Sequence, residues 1–399
     1  MKGKIFGGIL LLTGSCVGAG MLGLPILTGM AGFFPTLVMF FLAWFFMTTT
    51  ALLLVEVNCW FKRPVNLLSM VEHSLGKYGR AIAWALYLFL FYALLVAYMV
   101  LSGNHFASLF QNSIPSWVGT FFFVAGFGWL IYLGTRPVDL VNRLLMFGKI
   151  AAFLGLVFLG FQYVLTSNLV YSEPSMVFIA LPILIISFGF HNMIPTLSAY
   201  LDGDVKRIKK AIIGGSLLTL AIYLVWEVVA IGILPTKMIF SAFRQDIDAA
   251  GAIQDFLHRP VVGSFSSALA FFAILTSFLA QSLGLSHFWR DGLSKLKKSP
   301  NAKLENFWYC GLTLLPPLGF AILYSNIFFA AINFAGGICA VILFGLFPAL
   351  MVWKGRARAN ATYKVWGGRP LLIFIALFSC FILFYQLSQM VGLNFFPSP

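Results

Sequence analysis

Residues 14–25 read Gly14-Ser15-Cys16-Val17-Gly18-Ala19-Gly20-Met21-Leu22-Gly23-Leu24-Pro25, inside an apolar run from about residue 4 to residue 29. A helix needs roughly 20 such residues to cross the hydrocarbon core of a bilayer. The glycines at 14, 18, 20 and 23 and the proline at 25 nevertheless oppose an unbroken helix. Unwinding exposes peptide groups, which hydrocarbon tolerates only where they line a cavity. A second run, 175–200, repeats the pattern with Ser187-Phe188-Gly189-Phe190-His191-Asn192 followed by Pro195. One glycine-rich run alone could serve close helix packing. Two interrupted spans at matched positions point instead to a binding site of the kind transporters build.

The rest of the chain supports a membrane setting. Of 399 residues, 60% are hydrophobic and 10% are charged, whereas soluble domains carry about 25% charge. No soluble core of this length hides so much apolar surface. The net charge of +14 would suggest nucleic acid in a soluble protein, but the basic residues lie in short clusters between apolar runs, where they orient a membrane chain. Cys16, Cys59, Cys310, Cys339 and Cys380 show neither metal-ligand spacing nor a disulfide framework. Lys2, Lys4 and the run ending at Thr13-Gly14-Ser15-Cys16 have the look of a signal peptide. Apolar sequence resumes at once, however, so a retained first span is expected.

Eleven spans are predicted, at about 4–29, 32–60, 81–104, 117–134, 141–166, 175–200, 211–234, 262–289, 305–324, 326–352 and 368–390. With a cytoplasmic N-terminus, all of the 26 lysines and arginines except Lys237, Arg244 and Arg259 fall on the inside. The first and sixth spans are five apart, an odd offset, and therefore run in opposite directions. Long loops after the second and seventh spans carry helix-like stretches at 66–75 and 247–257. The expected architecture is all-α, with an inverted repeat of five plus five helices. Residues 1–167 form the first repeat, 173–353 the second and 367–391 an added helix.

The stretch from Gly14 to Pro25 resembles the first-helix signature of the hydroxy and aromatic amino acid permeases. The stretch from Ser187 to Pro195 is similar to the sixth helix of their tyrosine- and tryptophan-specific branch, departing from it at Asn192-Met193, where smaller residues are usual. The resemblance covers nearly the whole chain. It implies a bacterial inner-membrane protein of the leucine-transporter fold, with its C-terminus in the periplasm. It also implies proton-driven uptake of tyrosine or tryptophan by alternating access. The alternative is a sodium-coupled carrier, or one for another neutral amino acid of the serine/threonine type. No cofactor beyond the proton gradient is expected, the partners are the amino acid and the lipid bilayer, and a monomer is expected.

Candidate site residues follow. A substrate carboxylate suits the amides and hydroxyl of Gly14, Ser15, Cys16, Val17, Gly18, Ala19 and Gly20, because a half-helix starting after the break presents free N–H groups. Carbonyls freed at the two breaks suit the ammonium group. Phe188, Gly189, Phe190, His191 and Asn192, with Tyr98 and Ser102 from the third span, would enclose an aromatic side chain. His191 either titrates or ties the break together as a neutral hydrogen-bonding group. Lys149 lies about 12 Å inside a fifth span that begins near Val141. In relatives of this fold a lysine there stands in for a sodium ion, with Thr276 and Ser277 as its expected neighbours, so Lys149 is the proton-coupling candidate, against an anchor at the membrane surface. Glu56 is expected to pair with Lys62 or Arg63 at the interface. Glu227, inside the seventh span, has no sequence-local partner and is read as a structural hydrogen-bonding group or a coupling residue. An enzyme is disfavoured: His73, His105, His191, His258 and His287 are scattered without ligand spacing. Neither a metal nor catalytic residues are expected, and no filter loop suggests a channel.

Overall fold

The computed structural model describes residues 2–110, 113–293, 302–356 and 363–393. Lys295, Lys297, Lys298 and Arg358, part of the basic-residue argument, lie outside the described residues. The first half contains α1 (Lys2–Cys16), α2 (Gly20–Gly29), α3 (Phe33–Asn58), α4 (Leu67–Leu109), α5 (Ser116–Leu133), α6 (Thr135–Gly160) and the short α7 (Thr166–Val170). Then come α8 (Leu181–Ser187), α9 (Ile194–Tyr200), α10 (Val205–Ile233), α11 (Thr236–Arg244), α12 (Ala249–Leu257), α13 (Pro260–Leu293) and α14 (Ala302–Leu323). The chain ends with α15 (Phe328–Phe334), a π-helical stretch Ala335–Leu346, α16 (Phe347–Gly355) and α17 (Gly368–Val391).

Ten of the described helical segments are long and apolar enough to cross a membrane, and eleven if α1 and α2, bent by 63°, form one span. Helix α6 shows why lipid must be the solvent. Leu140, Leu144, Phe147, Leu154 and Phe158 lie exposed along one side, while Val138, Leu145, Lys149, Ala152 and Leu156 are buried on the other. A helix that is apolar on its outer face is at home only in hydrocarbon.

Several spans depart from the sequence expectation. The third span begins as part of α4 at Leu67, with the surface stretch joined to it through Gly76, whose φ of 83° a glycine adopts freely. The fifth span begins at Thr135 rather than Val141, because the glycine at 134, with φ 95°, supplies the turn that lets the helix start earlier. The tenth contains the π-helical stretch, which no periodicity signals.

The chain divides into two compact units. The first comprises residues 1–89, 170–227 and 333–399; the second comprises 90–169 and 228–332. Both draw on early and late sequence, so compactness does not follow the sequence halves.

In the first unit, α2 and α3 pack on α8, and α8 packs on the π-helical stretch. That last approach needs Gly336, where a Cβ would collide with the Pro182 carbonyl. Glu56, fully buried, accepts from Arg356 Nε and Nη2 at 2.7 Å each and from the Val365 amide at 2.6 Å. The expectation that Glu56 pairs with Lys62 or Arg63 is therefore corrected. The chain returns Arg356 to the end of α3 from 300 residues away, which local spacing cannot reveal.

In the second unit, α6 packs along α13, with Gly148 and Gly155 against the rings of Phe272 and Phe265. Pro316 interrupts α14 and leaves the Leu312 carbonyl without its helical donor. The Tyr92 hydroxyl donates to that carbonyl at 2.7 Å. Asp246 accepts from the Phe328 and Phe329 amides at 2.5 and 3.0 Å and so caps α15. Asp248 caps α12 through the Gly251 amide at 3.0 Å and meets His105 Nε2 at 2.6 Å.

Candidate functional site

The first unit contains two interrupted helices side by side. The first ends at Cys16, turns through Val17-Gly18-Ala19 and restarts at Gly20. In the turn, the Val17 amide donates to Thr13 O at 3.0 Å and the Gly18 amide to Cys16 O at 2.8 Å. No side chain caps the start of α2, and no acidic residue lies in its first turn. The Met21 and Leu22 amides donate to Gly18 O and Ala19 O at 3.2 and 3.1 Å, and the positive end of the dipole is suited to a carboxylate from elsewhere. Ser15, for its part, turns its hydroxyl back to Leu12 O at 2.7 Å.

The second interruption follows Ser187. The Gly189 amide donates to Ile186 O and the Phe190 amide to Phe188 O, each at 3.0 Å. One 3-10 turn, His191–Met193, then leads into α9 with Pro195 in its first turn. The two interruptions adjoin: a Cβ at Gly20 would lie 3.5 Å from Ser187 Oγ. That hydroxyl oxygen is buried and lacks a hydrogen-bond partner.

Helix α10 holds both breaks with one face. Cys16 and Ser187 are the final residues of α1 and α8, so their carbonyls have no helical donor. Tyr223 Oη reaches both, at 2.8 Å to Cys16 O and 2.9 Å to Ser187 O. Three residues on, Trp226 Nε1 donates to Met21 O at 2.9 Å. Pro25, four residues after Met21, has no N–H to offer that carbonyl. One residue further, Glu227 Oε2 lies 2.6 Å from Thr28 Oγ1. Tyr223, Trp226 and Glu227 are at most 1% exposed. Sequence reasoning missed Tyr223 and Trp226 as site residues. Their signal was spacing, since two aromatic donors and a carboxyl at i, i+3 and i+4 share one helix face.

The predicted pocket residues divide. Phe188 and Phe190 are buried in the first unit, Phe188 with its ring edge-on to Tyr223 at 5.4 Å. His191 lies flat on Phe344, centroids 4.9 Å apart, and its Nε2 is 2.9 Å from Thr50 Oγ1. Thr50 places its hydroxyl 3.1 Å from Met47 O. His191 Nδ1 is buried without a partner. Asn192 is exposed and accepts from Tyr87 Oη at 2.6 Å.

Tyr98 and Ser102 stand in the second unit. Tyr98 is hydrogen-bonded to Ser277. Ser102 donates to Met99 O at 2.7 Å and lines an apolar cavity of about 510 Å³ with His105, Phe106, Phe123 and Phe271. Lys149 is also in this unit, buried, with Nζ 3.5 Å from Thr276 Oγ1. Counted from Thr135 rather than Val141, it lies about 21 Å along its helix, deeper than the sequence reading placed it. No group of three or more metal-ligating side chains occurs among the described residues.

A multi-pass helical membrane protein with two adjoining broken helices, their peptide groups held by a third, has the build of a carrier for a small polar solute. The chain is similar in fold to the protein in the crystal structure of MhsT in complex with L-phenylalanine. The TM-score is 0.66, identity is 13%, and 96% of this chain and 97% of that one are covered. It is 34% identical to tyrosine-specific transport system 1 of Haemophilus influenzae, over 93% of this chain and 94% of the relative. It is also 30% identical to the tryptophan-specific transport protein of the same organism, over 98% and 97%. A model of the tryptophan/tyrosine permease family matches residues 1–386. The chain belongs to that family, and it is a transport protein rather than an enzyme.

Proposed function

We propose that this protein takes up tyrosine or tryptophan across a bacterial inner membrane in symport with protons. The observation that carries the reading is the pair of adjoining breaks, with an uncapped helix start in one and buried aromatic rings in the other. The substrate carboxylate binds at the positive start of α2, and its ammonium group binds carbonyls of the two breaks. The ring stacks against Phe188 and Phe190 beside the His191 imidazole, whose Nδ1 accepts a hydroxyl or indole N–H. That acceptor matters for specificity, because a site built to bond a polar group discriminates strongly against a ligand lacking it. The names of the similar transport proteins, and L-phenylalanine in the structural neighbour, support an aromatic substrate.

Transport proceeds by alternating access, α1–α2 and α8–α9 moving as the site opens to each side in turn. The chain has its N-terminus in the cytoplasm and its C-terminus in the periplasm, and two five-helix repeats of opposite sense precede α17. Lys149 exchanges the coupled proton, with Thr276 and Ser277 beside it.

Uptake of labelled L-tyrosine and L-tryptophan into proteoliposomes tests this. Accumulation should follow an inward proton gradient and be indifferent to replacing sodium with potassium or choline. Accumulation that requires sodium would overturn the proton assignment. Lys149→Ala with full concentrative uptake under the same gradient would overturn the role of Lys149.

A further inference from the structure

Glu227 and a backbone carbonyl share one threonine hydroxyl. Thr28 Oγ1 sits 2.8 Å from Leu24 O and 2.6 Å from Glu227 Oε2. A threonine hydroxyl has one proton and cannot donate to both oxygens. Leu24 O can only accept. A protonated carboxyl satisfies both contacts at once, donating to Thr28 Oγ1 while Thr28 donates to Leu24 O. The 2.6 Å separation suits an O–H···O bond.

The surroundings agree. Glu227 is 1% exposed, and its Oε1 is buried without a hydrogen-bond partner. An ionised carboxylate needs several donors to replace water, and among the described residues Thr28 is the one side chain bonded to it. Among the described residues of this unit, no cation forms an ion pair with Glu227. Helices α2 and α8 carry no ionisable side chain, and α3 carries only Glu56, which is paired with Arg356. Glu173, ahead of the 3-10 turn that packs on α2, is bonded to Ser175. On α1 the cations are Lys2 and Lys4, in its first turn, and Cys16 closes its far end. On α10 itself, Lys206, Arg207, Lys209 and Lys210 crowd the first turn, and even Lys210 is about 26 Å away along the axis. Tyr223 is the remaining titratable group on that face, and its hydroxyl serves Cys16 O and Ser187 O.

From this we infer that Glu227 is a proton-binding latch: neutral, it holds α2 against α10 and keeps the substrate-binding break assembled; ionised, it releases α2. When the proton leaves to water, Thr28 must turn its hydroxyl from Leu24 O to the carboxylate. The remaining charge then has no other donor until α2 moves and water enters. Glu227 is thus a positioning residue, acting on the substrate through α2. The inference rests on the aromatic amino acid reading, which it extends from the substrate to the control of its site.

Binding of L-tyrosine and L-tryptophan to the purified protein, measured against pH without a gradient, tests it. Affinity should be constant at low pH, then fall tenfold per pH unit as one proton is lost. Glu227→Gln, whose amide donates to Thr28 and does not titrate, should keep the low-pH affinity throughout. A Gln variant that retains the wild-type slope would overturn the latch. Wild type that binds neither amino acid at any pH would instead overturn the proposed substrate. Infrared spectra of wild type carrying ¹³C-labelled glutamate give a second readout that needs neither ligand nor variant. Among Glu56, Glu72, Glu173, Glu227 and Glu305, only Glu227 should show the carbonyl stretch of a protonated acid at neutral pH. Absence of that band would overturn the latch by itself.

Discussion

At the scale of single residues, the protein's polar economy rests on side chains placed where the backbone lacks a partner. The Tyr223 hydroxyl lies within hydrogen-bond reach of the terminal carbonyls of two half-helices. Tyr223→Phe keeps the ring and removes that donor; Cys16 O keeps the Gly18 amide, whereas Ser187 O is left unmet at about 1–3 kcal/mol. A lower thermal unfolding midpoint in detergent, with substrate affinity reduced as well, is the expected result. Unchanged stability would mean that the Ser187 carbonyl is met otherwise. Asp246 illustrates a different balance. Burial raises its carboxyl above the usual aspartate range, and the Phe329 and Phe328 amides offset only part of that. A raised folded-state value means that Asp246 contributes stability below its unfolded-state value, near 3.9, and that this contribution is lost as pH climbs through the folded-state value. Asp246→Asn should therefore flatten the decline of the unfolding midpoint over that window. A variant declining as steeply as wild type would contradict it.

Elements are broken by proline and mended by aromatic donors. Pro25 removes the N–H due to Met21 O, and Trp226 supplies one; Pro316 does the same to Leu312 O, and Tyr92 supplies one. A double-mutant cycle separates mending from simple packing. Trp226→Phe should cost about 1 kcal/mol or more in the wild-type background and markedly less after Pro25→Ala, which restores the helical donor. A coupling energy near zero would show that Trp226 acts by bulk alone. The same view explains why the two interruptions remain ordered. Each half-helix ends on a carbonyl within reach of the Tyr223 hydroxyl, which lowers the cost of the bend.

Across the whole molecule, contacts distant in sequence bind elements within each unit. Glu56, Arg356 and the Val365 amide form a buried ionic cluster of the first unit, with Arg356 also donating to Val365 O at 3.1 Å. Glu56→Gln leaves the guanidinium half-buried without its counter-charge, a change that typically costs about 3–5 kcal/mol. Lower yield of folded protein and earlier unfolding are expected. Restoration by Glu56→Gln with Arg356→Met would identify the unpaired charge as the cause.

Much of this protein was legible in its residues. Apolar runs, their lengths and the glycine-proline interruptions respond to local rules: hydrocarbon thickness, backbone sterics and the cost of bare peptide groups. They determined the spans, both breaks and, through two motifs, the family. Tertiary structure alone decided which side chains attend the breaks. Nothing near Glu56 in sequence names Arg356, and nothing near Glu227 names Thr28, 199 residues earlier. In hydrocarbon a buried polar atom is satisfied by whichever donor the fold delivers, and delivery depends on helices packing across the chain rather than on spacing along it.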